Sequence, residues 1–171
     1  SLREFKRGVD YIELRPDRAG THDIGGPMAI IQFLSSGKER IALPAALVCD
    51  HLVQANVGAI PDLKVAEKGN VETYEFLRDV SRRYGFDFWP AGSGICHQVF
   101  MENYNFPGCM MLVTDSHTPT ACGMGMLAIG VGGADLVDAL MGMEWELKMP
   151  KIIGVKLTGQ LQGWASAKDV I

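Results

Sequence analysis

Short apolar runs alternate along this chain with stretches of helical spacing, and this alternation limits its fold more than any other feature. Strand-like runs cover residues 9–14, 41–49, 86–90, 110–113 and 151–157. The run Met-Met-Leu-Val at 110–113 lacks polar alternation, which is typical of a strand buried on both faces. Strands that alternate with helices predict an α/β fold with a mostly parallel sheet flanked by helices.

Three helices are predicted between these runs. The clearest begins at Asn70, a good N-cap residue, and ends at Gly85. Its apolar stripe consists of Val71, Tyr74, Leu77, Val80 and Tyr84. A second helix begins at Pro27, ends at the Ser-Ser-Gly of residues 35–37 and has three apolar residues at three-residue spacing, Met28, Ile31 and Leu34. A third helix is predicted over residues 134–141.

No repeat, low-complexity tract or linker divides the chain, so residues 1–171 are predicted to form a single α/β domain. Ser166 and Asp169 have the spacing of a capping box, which marks the start of a helix. The chain ends two residues later. We therefore interpret the sequence as part of a larger multidomain protein.

Charge and hydropathy exclude several classes of function. The chain has 16 Lys and Arg against 20 Asp and Glu, a net charge of -4. Proteins that bind nucleic acid through its phosphates have basic faces, so we expect no nucleic-acid partner. The longest uncharged stretch, residues 116–134, contains a proline and five glycines, which predicts no membrane span. The four cysteines form no Cys-x-x-Cys pair, and we expect no metal ligand among them: Cys49, Cys96, Cys109 and Cys122.

All four histidines follow strand-like or turn segments: His22, His51, His97 and His117. In open α/β sheets, the loops at the carboxyl ends of strands form the binding sites. Three of these histidines lie within two residues of an aspartate: Asp23, Asp50 or Asp115. A carboxylate beside an imidazole orients the ring for general acid–base work. A solvated contact remains the alternative for any one pair, and neighbouring side chains on a strand diverge, so Asp50 need not be the partner of His51.

The densest polar cluster is the Thr-Asp-Ser-His-Thr-Pro-Thr of residues 114–120, directly after the buried run. An acid, a hydroxyl and an imidazole at a strand exit can bind a carboxylate and transfer protons. The alternatives are an ordinary strand-ending turn and a Ser-His nucleophile pair. No complete Gly-x-Ser-x-Gly motif supports the nucleophile. The glycines of residues 123–133 lack the pattern of a phosphate-binding loop, and we expect them to pack a helix start.

Several motifs, in order along nearly the whole chain, resemble the aconitase family. The residues that carry the resemblance are Cys-Asp-His at 49–51, Gly-Ser-Gly-Ile-Cys-His-Gln at 92–98, the cluster at 114–120, Gly-Val-Gly-Gly-Ala-Asp at 130–135, Trp-Glu-Leu-Lys at 145–148 and Pro-Lys-Ile-Ile-Gly-Val-Lys-Leu-Thr-Gly at 150–159. Within this family, the chain resembles the N-terminal portion of the mitochondrial-type enzymes and their bacterial relatives.

The resemblance implies a hydro-lyase that converts citrate to isocitrate through cis-aconitate at a [4Fe–4S] cluster. It implies that His51 is the acid for the leaving hydroxyl, with Asp50 in support. Asp115, His97 and His117 would hydrogen-bond water and hydroxyl, while Ser116 and His22 would contact substrate. The implied location is the mitochondrial matrix or the bacterial cytoplasm.

Two departures from the family pattern affect these expectations. The family usually has Gln at the position of His22, and a His-Asp pair there is similar to the isopropylmalate isomerase branch. The cysteines that hold the cluster, the swivelling domain, the serine base and the substrate-binding arginines belong to later segments of the family. We therefore expect residues 1–171 alone to bind no cluster and to be inactive without the remaining domains.

Two alternatives to an aconitase stay open. One is a homoaconitase or isopropylmalate isomerase, which the residue at position 22 suggests. The other is a descendant without catalytic activity, with a structural or an RNA-binding role. The net charge of -4 disfavours RNA binding.

Overall fold

The computed structural model describes residues 4–170. The chain divides into two compact units, a larger one of residues 13–146 and a smaller one of residues 1–12 with 147–171. The described strands are β1 (Tyr11–Leu14), β2 (Arg18–His22), β3 (Ala45–Val48), β4 (Asp87–Trp89), β5 (Met110–Val113), β6 (Leu127–Gly130) and β7 (Trp145–Lys148). The described helices are α1 (Gly26–Ser35), α2 (Ala59–Gly69), α3 (Val71–Tyr84), α4 (Cys96–Asn103) and α5 (Gly133–Met141), with 3-10 helices at Thr118–Met124 and Ala167–Val170.

The larger unit is built on a five-stranded sheet in the order β4-β3-β2-β5-β6. All four pairs of neighbouring strands are parallel. The strand order reverses between β2 and β5, because the chain continues from β2 to β3 on one side and later returns to place β5 on the other. In such sheets, ligands bind outside the carboxyl ends of the strands at this reversal. A separate two-stranded sheet pairs β1 with β7.

Helices cover both faces of the five-stranded sheet, and alternate strand residues supply the two cores. On one face, Leu47 packs with residues of α1, α3 and α5, among them Phe33, Leu77 and Leu140. On the other face, Val48 packs with residues of α4 and β5, among them Phe100 and Met111. The α/β fold with a mostly parallel sheet flanked by helices is therefore confirmed.

Gly20, in the middle of β2, allows α4 to approach the sheet. A Cβ atom at this position would lie 2.6 Å from Cζ of Phe100, much closer than carbon atoms pack. The aromatic ring occupies the space that a side chain on the central strand would otherwise need. The same helix, α4, also carries His97.

Most predicted elements are confirmed with shifts of at most two residues at their ends, except that the strand predicted at 41–49 begins only at Ala45. They are the strands at 9–14, 41–49, 86–90 and 110–113 and the helices that begin near residues 27, 70 and 134. Gly85 ends α3 with a φ of 94°, as a left-handed C-cap. The Asn70 side chain does not cap the start of α3 as predicted. Its Nδ2 instead donates to the carbonyl of Ala66, near the end of the preceding helix α2, at 2.9 Å.

Three corrections to the predictions concern local pattern. The three-residue apolar spacing predicts the wrong buried face for α1: Met28 and Ile31 are exposed, while Ile30 and Phe33 are buried. The strands β2, β6 and β7 and the helices α2 and α4 were not predicted. The strand predicted over residues 151–157 is wrong: this segment has no regular structure, and Ile153 is 88% exposed. A strand needs a neighbour for its backbone hydrogen bonds, and none pairs with it among residues 4–170.

The smaller unit contains the capping box that the sequence predicts. Asp169 accepts hydrogen bonds from the Ser166 backbone N–H at 2.6 Å and from its hydroxyl at 2.9 Å. The 3-10 helix at Ala167–Val170 follows. Elsewhere in this unit, the Gly8 N–H donates to the Met149 carbonyl and the Met149 N–H donates to that of Asp10. Within residues 4–170, no helix is long and apolar enough to cross a membrane.

Candidate active site

The four histidines meet at the carboxyl ends of the sheet strands, where the strand order reverses. His22 ends β2, His51 follows β3, and His117 follows β5. His97 lies in the first turn of α4, after the loop that leaves β4. The polar loops that the sequence singles out are therefore brought together at one edge of the sheet.

His51 is held by the aspartate that precedes it. Its Nδ1 lies 2.8 Å from Oδ1 of Asp50, and the other oxygen of Asp50 accepts the backbone N–H of Cys96 at 2.7 Å. Cys96 is the first residue of α4, so the carboxylate also sits at a helix N-terminus, where negative charge is favoured. Asp50 is therefore in direct contact with His51 and orients its ring.

Asp115 lies at the centre of the cluster. Its side chain is 3% exposed, and three imidazoles surround it. His51 Nε2 and His97 Nδ1 each lie 3.8 Å from its carboxylate oxygens, and His117 Nδ1 lies 4.0 Å away. These separations are ion-pair distances, longer than hydrogen bonds. The carboxylate accepts the His117 backbone N–H at 2.8 Å, which orients it.

His97 and His117 differ in exposure but adjoin each other, with ring centroids 5.2 Å apart. His117 is 71% exposed and forms the rim, whereas His97 is 22% exposed and lies deeper. Nδ1 of His97 is buried and has no hydrogen-bond partner within the described residues. The Ser116 hydroxyl lies 3.4 Å from Nδ1 of His117, at the same rim. A depression of about 480 Å³ adjoins Asp115 and Ser116 at the ends of β5 and β6.

His22 is buried, and both of its ring nitrogens are engaged. Nε2 lies 2.7 Å from the Thr114 carbonyl, and Nδ1 accepts the backbone N–H groups of Ile24 and Gly25 at 3.3 and 3.4 Å. Burial, reinforced by the neighbouring His51, lowers the pKa of His22. Because Nδ1 accepts two N–H groups and Nε2 faces a carbonyl oxygen, these contacts fit the neutral ring with its proton on Nε2.

Two further residues shape the site, although neither was among the predicted catalytic or substrate-binding residues. Asp23 accepts the backbone N–H groups of His51 and Leu52 at 3.0 and 3.2 Å and so holds the loop after β3. Burial raises the pKa of Asp23. Gly130 ends β6 against the Asp115 carbonyl, where a Cβ atom would lie only 2.6 Å away. In the sequence, a glycine at the end of a strand indicates such a close backbone contact.

The described residues bring at most one cysteine into any group that could hold a metal. These groups are His22 with Asp23 and His51, Asp50 with His51 and Cys96, and Cys96 with His97 and Asp115. Burial raises the pKa of the Cys96 thiol, and that of Cys49 to about 12. A [4Fe–4S] cluster is held by cysteine thiolates, and residues 4–170 do not supply such a set.

The comparisons with known proteins agree with these motifs. A profile of the Aconitase family (aconitate hydratase) matches residues 2–171. The chain is 54% identical over 169 residues to the mitochondrial aconitate hydratase of Candida albicans and, equally, to that of Saccharomyces cerevisiae, with 99% of this chain and 22% of each relative covered. A probable mitochondrial aconitate hydratase of Dictyostelium discoideum is 54% identical over 168 residues. The chain spans about 22% of the length of these relatives, and it belongs to the aconitase family.

Proposed function

We propose that this chain contributes one wall of the active site of an aconitate hydratase, a hydro-lyase that interconverts citrate and isocitrate through cis-aconitate. The observation that supports this most directly is the convergence of three imidazoles on the buried carboxylate of Asp115 at the reversal of the sheet. Dehydration of a hydroxy-tricarboxylate needs a proton for the leaving hydroxyl and N–H donors for anionic carboxylates. Imidazoles supply both near neutral pH.

In this proposal, His51 protonates the leaving hydroxyl from Nε2. Its Nδ1 faces Asp50 at 2.8 Å, so a proton on Nδ1 is held by the carboxylate and Nε2 is left free to donate. The His51 side chain is 33% exposed, which allows substrate to reach it. Asp50 supports the acid by orienting its ring.

Asp115, His97 and His117 are proposed to hydrogen-bond the departing water and the hydroxyl of the product. Asp115 is an acceptor already oriented by a backbone N–H, while the two imidazoles face it from separate elements. Ser116 lies at the open rim and is proposed to donate its hydroxyl to a substrate carboxylate. Each of these groups is placed by a strand exit or a helix start, so little motion is needed before reaction.

The remainder of the whole protein is proposed to supply what these residues lack. By family resemblance, that remainder holds the [4Fe–4S] cluster on its own cysteines, together with the serine base and the substrate-binding arginines. The relatives named above are mitochondrial proteins, and we propose the mitochondrial matrix for this one.

Replacement of His51 by Asn in the full-length protein tests the proposal. Asn offers an N–H to Asp50 but has no acid at the Nε2 position, so we expect kcat for citrate to fall by about 10²–10⁴-fold. The control is Gln54→Asn, an exposed side chain in the same loop, which should retain wild-type turnover. Equal turnover by His51→Asn and the wild type, at equal melting temperature, would refute the role of His51.

Substrate competition separates the aconitase from its closest alternatives. Citrate, homocitrate and isopropylmalate are supplied together at equal concentration, and the products are quantified by mass spectrometry. We expect conversion of citrate to dominate. Preferential conversion of homocitrate or isopropylmalate would assign the chain to a sister activity within the same reaction class.

A further inference from the structure

The ring of His22 is fully committed to the protein. Nε2 donates to the Thr114 carbonyl at 2.7 Å, which links the end of β2 to the end of β5. Nδ1 accepts two backbone N–H groups from the turn that begins α1. The side chain would have to give up one of these contacts to bind substrate, and the residue is only 6% exposed.

The face of the same ring supports His51. The two imidazoles stack with centroids 3.8 Å apart and an angle of 17° between their planes. The single hydrogen bond to Asp50 fixes one edge of the His51 ring but leaves rotation about that edge possible. The flat surface of His22 removes this freedom and points Nε2 of His51 toward Asp115, 3.8 Å away.

The position of His22 is itself tightly determined. A Cβ atom on Gly25 would lie 3.0 Å from Oγ1 of Thr114 and 3.3 Å from Nε2 of His22. The hydroxyls of Thr21, the residue before His22, and of Thr114 share a hydrogen bond at 2.8 Å. Because the His22 ring is held at both nitrogens and packed at its edge, its position is fixed. A fixed ring can in turn fix the orientation of the His51 ring that stacks on it.

We propose that His22 is a positioning residue that holds the His51 ring for proton donation, and that it does not bind substrate. This inference rests on the proposed function of His51. It also means that the exchange of the family's usual Gln for His at this position does not by itself change the substrate.

Two substitutions in the full-length protein separate positioning from substrate binding. His22→Phe keeps a flat ring beneath His51, whereas His22→Asn removes it but retains an acceptor for the N–H groups of residues 24 and 25. A misplaced acid lowers the chemical step, so we expect kcat of His22→Asn to fall about 10- to 100-fold with KM within twofold of the wild type. His22→Phe should recover at least a third of wild-type kcat.

The contrary outcomes are distinct. A tenfold rise in KM with kcat within twofold, in both variants, would show that His22 binds substrate and would overturn the proposal. Unchanged kcat in His22→Asn would also overturn it. Circular dichroism and the melting temperature identify a variant that fails to fold, and in that case the footprint below decides.

Chemical footprinting of the wild-type protein tests the same inference without turnover. Diethyl pyrocarbonate acylates a free imidazole nitrogen, and mass spectrometry measures the rate at each histidine. We expect His22 to react at least tenfold more slowly than His117, at a rate that citrate does not change. Reaction as fast as that of His117, or protection of His22 by citrate, would overturn the proposal. Absence of citrate turnover in the wild type would instead refute the proposed function while this readout remains valid.

Discussion

Two carboxylates organise the loops of the larger unit in opposite ways. Asp62, in the first turn of α2, accepts the backbone N–H groups of Asn56, Val57 and Gly58 at 2.8–3.1 Å. Asp115 accepts the backbone N–H of His117 and faces three imidazoles at 3.8–4.0 Å. The Asp62 carboxylate is hydrogen-bonded by main-chain N–H groups, whereas the oxygens of Asp115 face imidazoles, which can donate and accept protons.

This difference separates a structural acid from one available for chemistry. Backbone donors cannot be deprotonated or moved, so a carboxylate surrounded by them stabilises one loop conformation. Imidazoles change charge near neutral pH, so a carboxylate among them can share protons with a ligand. The comparison predicts that substitutions at the two acids affect different measurements.

The largest expected effect is that of Asp115→Asn in the full-length protein. The amide is close in size but removes the negative charge that the three imidazoles face, so we expect kcat to fall about 100-fold or more. The measurement is steady-state turnover of citrate, together with the melting temperature. Asp62→Asn is the matched control, and it should retain turnover within twofold at 25 °C. Loss of turnover in the control and not in Asp115→Asn would reverse the comparison.

A smaller effect is expected from Gly130→Ala, which disturbs Asp115 without changing a polar group. The added Cβ would meet the Asp115 carbonyl at 2.6 Å, and backbone on both sides must move. We expect a fall in kcat of about tenfold, because a displacement of the order of 1 Å can cost up to 10²-fold. Gly123→Ala serves as the control, since a Cβ there meets no atom within 4 Å and its φ is not in the left-handed region. Similar turnover for both variants would show that the contact with Asp115 is unimportant.

The smallest effect concerns stability at low pH. The backbone N–H groups of Asn56, Val57 and Gly58 lower the pKa of Asp62 below its ordinary value of 3.8. The stabilisation is therefore present above pH 3.8 and is lost as pH falls through the folded-state pKa. Asp62→Asn should melt about 2–5 °C lower than the wild type at pH 7, with a smaller difference at pH 3. A difference that grows toward low pH would contradict this sign.

Much of the fold could be predicted because several segments satisfy local rules. Met110–Val113 is apolar throughout, and the strand that it forms is buried on both faces. The segment that becomes α3 combines an apolar stripe with a glycine after its last turn, and both features depend only on neighbouring residues. The site loops could be located for the same reason, since polar residues that directly follow such strands emerge at one edge of a parallel sheet.

The central strand could not be predicted from its own residues. β2 reads Arg-Ala-Gly-Thr-His, which has neither an apolar run nor β-branched residues in alternation. Its neighbours impose the strand: Gly20 pairs with Ala46 on one side and Val113 on the other, and Phe100 fills the space above it. The error over residues 151–157 is the reverse case. Their apolar pattern favours a strand, but a strand forms only where another strand accepts its hydrogen bonds.

By itself, the sequence determined which side chains follow strands and therefore which residues stand at the edge where a site can form. It also determined the family, through motifs that lie in order along the chain. Only the tertiary structure decided that Asp50 holds His51, that Asp115 lies between three imidazoles, and that His22 turns both nitrogens toward the protein. These contacts depend on the order of strands in the sheet and on the approach of α4 over Gly20. Both arise from packing between segments that are far apart in sequence, which no local pattern of residues encodes.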